Sequence, residues 1–441
     1  MLTLTLLILL SYHTLSLSRV ILGNQILRDT RYHSLHGHRV AVLTNPTGVF
    51  MDTLDHIVDI MSSDTEINVV AVFGPEHGFR GDKQAETGDE MVYIDSATKL
   101  PVFSAYNMNS TQIANTMEEM NITAVVVDMQ DVGVRLYTFI WTMYDVMEGA
   151  KERSMYGTSK VKIVVCDRPN PLGGERVEGP LLNMSCCSSG YGKYRITHIH
   201  GLTIGELSLL FNEDIRLPSS QVEVIRMRNW HRDMNWEETG LLWIPPSPNV
   251  PTPNTALSYG ATVFLEATTI AEGRGTTTPF ELFGAPFLDA LEVASRLNHD
   301  FSCPNGASAF RAAYFQPTFS KYNGSTVPGA QWMENREPCG LATPPSLDIN
   351  TTNKTVFRGD IFYSGTLILT ALRDISTPSS AFEWDGSWFG HPGTELIDQY
   401  AGTPEYRLMI DAGVSSEDIS AYFESDVAQF VNRRKTVLLY P

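Results

Sequence analysis

Between about Arg39 and Asp167 the chain alternates short apolar runs with helix-like stretches, and that alternation leaves few folds open. The runs "RVAVLT", "INVVAVF", "PVFSAY", "TAVVVDM" and "VKIVVCD" are apolar almost throughout, as strands covered on both faces must be. Between them lie "MDTLDHIVDIMSS", "NSTQIANTMEEMN" and "FIWTMYDVMEGAKE", which read as helices. Parallel neighbours cannot be joined by a tight hairpin and need crossovers, so the repetition predicts an α/β fold, a parallel sheet wrapped by helices. A helix at "LTIGELSLLFN" and a strand at "VEVIRM" extend it. The proline-dense run "WIPPSPNVPTPN", Trp243 to Asn254, marks a boundary. Beyond it the sequence reads as a smaller α+β domain closing on a strand, "KTVLLY". The expected organisation is a leader over 1–18, a sheet domain over 19–245 and a C-terminal domain over 246–441 that completes a cleft.

The polar motifs follow the strands. "TNPTG" (Thr44 to Gly48) follows the first, "GPEHGFRG" (Gly74 to Gly81) the second, "DMQDVGVRLYT" (Asp128 to Thr138) the fourth and "DRPNPLGG" (Asp167 to Gly174) the fifth. Open parallel sheets bind ligands at the carboxyl ends of their strands, so four distant motifs should meet at one crevice. Neither G-x-G-x-x-G after the first strand nor G-x-x-x-x-G-K-S/T occurs, so no nucleotide cofactor is implied.

Charge narrows the partners. The 441 residues carry 50 acids against 32 bases, a net charge of −18, which repels nucleic acid and anionic membranes. An anionic substrate would need arginines gathered locally. The opening "MLTLTLLILLSYHTLSLSRV" reads as a cleavable secretory leader, with a buried first element as the alternative. Six Asn-x-Ser/Thr sequons, at Asn109, Asn121, Asn183, Asn323, Asn350 and Asn353, fit a secreted or lysosomal glycoprotein. Five cysteines spell no disulfide framework. Cys166 reads as a reduced core residue, Cys303 and Cys339 could bridge, and Cys186 or Cys187 could pair elsewhere.

Individual residues then acquire candidate roles. Glu76, bracketed by glycines at a strand end, could hold its proton to high pH and act as a general acid; a loop carboxylate capping amides is the alternative. His77 could orient Glu76 or the substrate. Asp128 and Gln130 share one face by the two-residue strand period, as do Arg135 and Tyr137. An Asp131–Arg135 ion pair bracing the loop is the structural alternative. Asn45 and Asn170 stand in the loops after the first and fifth strands. "ITHIHGLTIGE" places His198 and His200 two apart, a metal-like edge that His77 and Asp128 could complete. No further ligand stands at a recognised spacing, so no metal is assigned, and His200 reads as a hydrogen-bonding residue. "PSPN" contributes Asn249. "AEGRGTTTPFE" contributes Glu272 and Arg274, the latter suited to a bidentate carboxylate contact or to a salt bridge with Glu272 or Glu281.

Taken together, "TNPTGV", "FGPEHGFRG", "DMQDVGVRLYTFIWTM", "DRPNPLGG", "EGPLL", "HGLTIGEL", "PSPN", "EGRGTTTPFELFGAP" and "RRKTVLLY" resemble, in order, the exo-β-N-acetylmuramidase family of the NamZ type. The resemblance implies a Rossmann-like domain, a smaller C-terminal domain and release of N-acetylmuramic acid from non-reducing ends of peptidoglycan fragments. It also implies that Glu76 of the PEHG motif is the catalytic carboxyl. Arg80, Arg135 or Arg274 would then meet the lactyl carboxylate of the sugar. Pro46 stands where the family usually has glutamine. The second catalytic group would be Asp128, Asp131 or Glu272 acting on water, or the substrate's own acetamido group oriented by Tyr137 and His200. The rival readings are a muropeptide-binding protein without turnover, and a metal-dependent amidase or deacetylase built on His77, His198 and His200.

Overall fold

Residue by residue, the first strand already shows how the sheet is covered. Val40 and Val42 belong to one apolar cluster and Ala41 and Leu43 to another, so alternate side chains feed two cores on opposite faces. The computed structural model describes residues 19–82, 91–156, 160–301, 309–333, 360–378, 381–391 and 393–441.

In the first half, helices α1 (Gly23–Asp29), α2 (Ile57–Ser63), α3 (Ser110–Glu119), α4 (Phe139–Tyr156), α5 (Met184–Cys187) and α6 (Ile204–Ile215) accompany nine strands. These are β1 (Arg39–Thr44), β2 (Asn68–Gly74), β3 (Val92–Ile94), β4 (Pro101–Ser104), β5 (Ala124–Asp128), β6 (Lys162–Cys166), β7 (Glu178–Leu181), β8 (Thr197–Ile199) and β9 (Val222–Ile225). The main sheet runs β3-β4-β2-β1-β5-β6-β9, parallel except for β3 at the edge. Counted among its six parallel strands alone, the order is 3-2-1-4-5-6, that of the doubly wound dinucleotide-binding folds. Helices α1 and α2 cover the face that carries Val40, Val42, Val126 and Val164. Helices α3, α4 and α6 cover the other, which carries Leu43, Phe73, Val127 and Val165. The five strands and most helices expected from the sequence stand where it put them. Helix α2 is shorter than "MDTLDHIVDIMSS", because the chain begins helix only after His56, whose ring accepts the Val58 amide.

Past the proline-dense run come α7 (Pro253–Thr262), β10 (Leu282–Gly284), α8 (Ala290–Phe301), β11 (Phe310–Phe315), β12 (Val327–Trp332) and α9 (Ile361–Ile375). Four short helices finish the chain: α10 (Glu395–Ala401), α11 (Pro404–Asp411), α12 (Ser416–Tyr422) and α13 (Glu424–Arg434). Strands β10, β12 and β11 form a small antiparallel sheet. The core on the α3/α4/α6 face continues without a break through Phe264, Phe283, Trp332, Ile368 and Tyr406, so the two halves share one interior.

The closing segment "KTVLLY" is not a strand. It lies back over the first half, held by scattered side-chain and backbone bonds rather than by a ladder. The Leu439 amide donates to Glu206 Oε1 at 2.8 Å and the Tyr440 hydroxyl to Asp167 Oδ2 at 2.5 Å, while Arg232 N–H donates to the Pro441 carbonyl at 2.9 Å. Arg434 adds bonds to the carbonyls of Gly174 and Gly201 at 2.9 and 2.8 Å. An apolar, β-branched run was legible, but a strand needs an edge to pair with, and here the edge is replaced by a cradle of polar side chains.

Between β1 and β5 the strand order reverses, and there Thr44 pairs in register with Asp128. Asp128 is wholly buried. Its Oδ1 accepts from Arg168 Nε at 2.7 Å and its Oδ2 from Asn24 Nδ2 at 2.9 Å, while its carbonyl accepts from Thr44 Oγ1 at 2.7 Å. Removing one partner of such a buried pair leaves the other charge uncompensated. Asp128→Ala is therefore expected to lower stability by about 3–5 kcal/mol, read as a lower urea midpoint at unchanged m. The double change Asp128→Leu with Arg168→Leu should recover much of that loss.

Candidate active site

The site begins where β2 stops. After Gly74 the chain turns through Pro75, Glu76, His77 and Gly78, closed by a Gly78 N–H bond to the Pro75 carbonyl at 3.0 Å. His77 and Gly78 are both left-handed, with φ of 69° and 72°. For a residue with a Cβ that region costs about 1–2 kcal/mol, and strain of this kind concentrates where a side chain must be aimed. Gly81 serves the neighbouring turn: a Cβ there would stand 2.2 Å from the Pro46 ring, so the TNPTG and GFRG loops pack directly on each other.

The Glu76 carboxyl points inward. Its Oε2 accepts the Thr138 hydroxyl at 2.5 Å, and Thr138 also caps α4, its carbonyl accepting from the Thr142 amide. Burial raises the pKa of Glu76; the Thr138 hydrogen bond and the positive charge of Arg274 pull it back only in part. Arg274 belongs to the C-terminal half, so the acid and its electrostatic partner come from opposite sides of the proline-dense boundary.

Rings connect the two. His77 meets Phe139 edge-on at 6.4 Å, Phe139 meets Tyr137 at 4.7 Å, Tyr137 meets Tyr259 at 5.8 Å and Tyr259 meets Phe280 at 4.9 Å. The Arg274 guanidinium lies over Phe280, 5.1 Å from its centroid. The Tyr137 phenol is held un-ionised chiefly by burial, reinforced by the charges of Glu76 and Asp131. It lies beside Ser247 of the PSPN loop without a hydrogen bond of ordinary geometry.

Arg274 is well anchored. Its Nε donates to Glu266 Oε1 at 2.6 Å and lies 3.8 Å from Glu272 Oε1. Glu266 also accepts from Tyr400 at 2.8 Å, and Glu272 Oε2 lies 3.2 Å from Lys321 Nζ. The pair of carboxylates keeps Arg274 charged despite its burial. Glu281, offered as an alternative partner, takes the Thr255 hydroxyl instead.

Asp131 and His200 form the third group. Asp131 Oδ2 accepts the Gly133 amide at 2.7 Å and lies 3.2 Å from His200 Nε2. His200 Nδ1 accepts the Leu202 amide at 3.1 Å, so the neutral ring carries its proton on Nε2, toward Asp131. The His-x-His pattern splits: His198 turns to the Gly260 carbonyl at 2.7 Å and stacks on Phe264 at 4.6 Å, with burial pushing its pKa down to about 3. Among the described residues no cluster of three or more His, Cys, Asp or Glu side chains is arranged to hold a metal.

Several expected contributors are placed otherwise. Both oxygens of Asp128 are occupied, as described above. Arg80 is bonded to Asp59 at 2.7 and 2.8 Å and to Asp95 at 2.9 and 3.3 Å, behind its turn rather than in front of it. Arg135 does not pair with Asp131. Its guanidinium donates to the carbonyls of Tyr400 at 2.7 Å and Gln399 at 3.5 Å, and burial lowers its pKa to about 9. Arg80 and Arg135, offered for a substrate carboxylate, are thus structural ties; Arg274, also offered, is itself bonded to Glu266 and lies near Glu272. Gln130 bonds the carbonyls of Asp131 and Pro169 at 2.8 and 2.7 Å, and Asn170 bonds the Leu202 carbonyl and Leu172 amide at 3.0 and 2.9 Å, so both brace loops. Asn45 accepts from Thr47, and its Nδ2, like that of Asn249, is buried with no hydrogen-bond partner among the described residues.

Thr138, Ser247, Tyr259, Glu266, Lys321 and Tyr400 were not singled out from the sequence. Thr138 and Ser247 stand inside motifs that were. Tyr259 and Glu266 lie on apolar helical turns and look like core residues, and nothing local distinguishes Lys321 or Tyr400. Of the cysteines, Cys166 is free and buried, as expected; Cys186 and Cys187, expected to pair elsewhere, bond to each other, and Cys303 and Cys339 lie outside the described residues.

Comparison with known proteins gives this geometry a family. Residues 40–254 match the N-terminal domain of the exo-beta-N-acetylmuramidase NamZ family, and residues 257–440 its C-terminal domain. The chain is 37% identical over 407 residues to the peptidoglycan beta-N-acetylmuramidase NamZ of Bacillus subtilis (strain 168), covering 92% of this chain and 88% of that one. Two crystal structures of DUF1343 family proteins from Bacteroides fragilis share the fold, one at 29% identity with a TM-score of 0.76 and one at 28% with 0.68. Each alignment covers 96% of this chain and 99% of the other. The chain belongs to the exo-β-N-acetylmuramidase NamZ family.

Proposed function

We propose that this protein is a secreted exo-acting β-N-acetylmuramidase that removes N-acetylmuramic acid from non-reducing ends of peptidoglycan fragments, with Glu76 as its general acid. Membership of the family and the activity named for the Bacillus subtilis relative support the glycosidase reading. The observation that carries the role of Glu76 is its setting. The carboxyl at the end of β2 is held by one hydroxyl, and burial raises its pKa, so it keeps a proton to give to the departing sugar oxygen. Arg274, whose charge reaches Glu76, limits how far that pKa climbs and is proposed to meet the lactyl carboxylate.

Passage through a secretory pathway is part of the proposal. The leader lies outside the described residues; of the six sequon asparagines, Asn109, Asn121, Asn183 and Asn323 are exposed on the described surface, where a glycan would meet no packed neighbour. No described helix is long and apolar enough to cross a membrane.

Two measurements test the acid. With a muramyl-glucosamine disaccharide, Glu76→Gln should lower kcat by about 10²–10⁴-fold while the variant keeps the wild-type melting profile. With an aryl N-acetylmuramide, whose leaving group departs without a proton, the same variant's kcat/KM, which reports the first displacement, should fall far less than its kcat/KM on the disaccharide. Equal losses on both substrates would remove Glu76 from the role. Thr138→Val takes away the hydrogen bond that favours the carboxylate, so the pKa of Glu76 should rise. Activity falls as Glu76 loses its proton, and the alkaline limb of the kcat/KM profile should therefore move to higher pH.

A further inference from the structure

The three carboxylates that could act beside Glu76 are not equivalent. Asp128 has one oxygen on Arg168 and the other on Asn24. Glu272 lies between Arg274 and Lys321. Asp131 differs: Oδ2 takes the Gly133 amide and faces His200 Nε2, while Oδ1 is buried with neither a hydrogen bond nor an ion-pair contact among the described residues; the unbonded Glu272 Oε2 has Lys321 Nζ 3.2 Å away. The whole residue is only 4% exposed. An unpaired buried acceptor is destabilising, and such groups persist where a ligand completes them. The missing partner is a hydrogen-bond donor, and Asp131 stands on the same segment as Thr138, whose hydroxyl holds Glu76, so that donor belongs to a group bound alongside Glu76.

We infer that Asp131 Oδ1 accepts the N–H of the substrate's 2-acetamido group and takes its proton as that group attacks the anomeric carbon. The inference rests on the glycosidase reading and names its second carboxylate. In the first step the acetamido oxygen bonds to C1 and the C1–O bond to the leaving sugar breaks. The departing oxygen keeps the electron pair and takes the proton of Glu76, and the acetamido nitrogen yields its proton to Asp131, leaving a neutral oxazoline. In the second step a water oxygen bonds to C1 and gives a proton to Glu76, the C1–O bond of the oxazoline breaks, and Asp131 returns the proton to nitrogen. Two displacements at C1 leave its configuration retained, and one water is consumed. His200, whose Nε2 lies 3.2 Å from Oδ2, is a positioning residue for that carboxylate.

The test uses the intact protein and aryl N-acetylmuramides carrying none to three fluorines on the acetyl methyl. Fluorine weakens the acetamido oxygen as a nucleophile, so kcat/KM should fall with each added fluorine, and proton NMR should show the β-anomer released first. A flat series or an inverted product would overturn the inference. Asp131→Asn should lower kcat by about 10²–10⁴-fold with KM little changed. Wild-type kcat in that variant would also overturn it. The fluorine series needs no variant and so does not depend on whether Asp131→Asn folds. Release of N-acetylmuramic acid by the wild type tests the glycosidase reading separately.

Discussion

The buried ion pair of Asp128 with Arg168 fixes the edge on which the site is built. It sits at the reversal of strand order, where the loops after β1 and β5 diverge and a crevice opens. In dinucleotide-binding relatives of this topology a helix amino end and a glycine-rich turn fill that crevice with phosphate. Here the side chain of Asn24, from a helix ahead of β1, bridges Asp128 and the Val49 carbonyl. The proposed ligand groups stand elsewhere, on the PEHG turn and the Asp131–Thr138 segment. The same topology thus carries a different chemistry, because the chemistry lives in what the loops hold and not in the sheet.

The second constraint is that neither half is complete alone. The acid comes from β2, the hydroxyl that holds it from the start of α4, and the charge that tempers it from the loop before β10. A series of edge-on rings from His77 to Phe280 and an uninterrupted apolar core hold these pieces at fixed separation. Edge-to-face pairs are directional as well as apolar, so they set orientation in a way that aliphatic packing does not. The returning C-terminal segment, fastened through Arg434, Leu439 and Tyr440, ties the last residues of the chain to the loops after β6 and β8.

Much of this was legible beforehand because burial on two faces demands an unmistakable composition. Strands such as "AVVVD" have every residue buried, and no exposed strand or helix would be written that way. Glu76 drew attention for the opposite reason, a carboxyl between glycines at a strand end with no packing role to explain it, and the fold gives it the Thr138 hydroxyl as a partner. The arginines misled. Arg80, Arg135 and Arg274 look alike in sequence, yet one is tied to Asp59 and Asp95, one to carbonyls of a distant helix, and one to two buried glutamates. A guanidinium reaches whatever acceptor the fold brings within range, and sequence spacing carries no record of that.

What the sequence determined by itself was periodic or local: strands, crossovers, a parallel sheet, and the turns that interrupt them with polar groups, since these follow from side-chain direction and backbone sterics within a few residues. What only the tertiary structure decided was pairing. That Asp128 is saturated while Asp131 keeps one oxygen open, that His198 stacks in the core while His200 faces a carboxylate, and that the last strand-like run never finds a strand all depend on neighbours distant in the chain. Hydrogen bonds and ion pairs act over a few ångströms of space, whatever the length of chain between their partners.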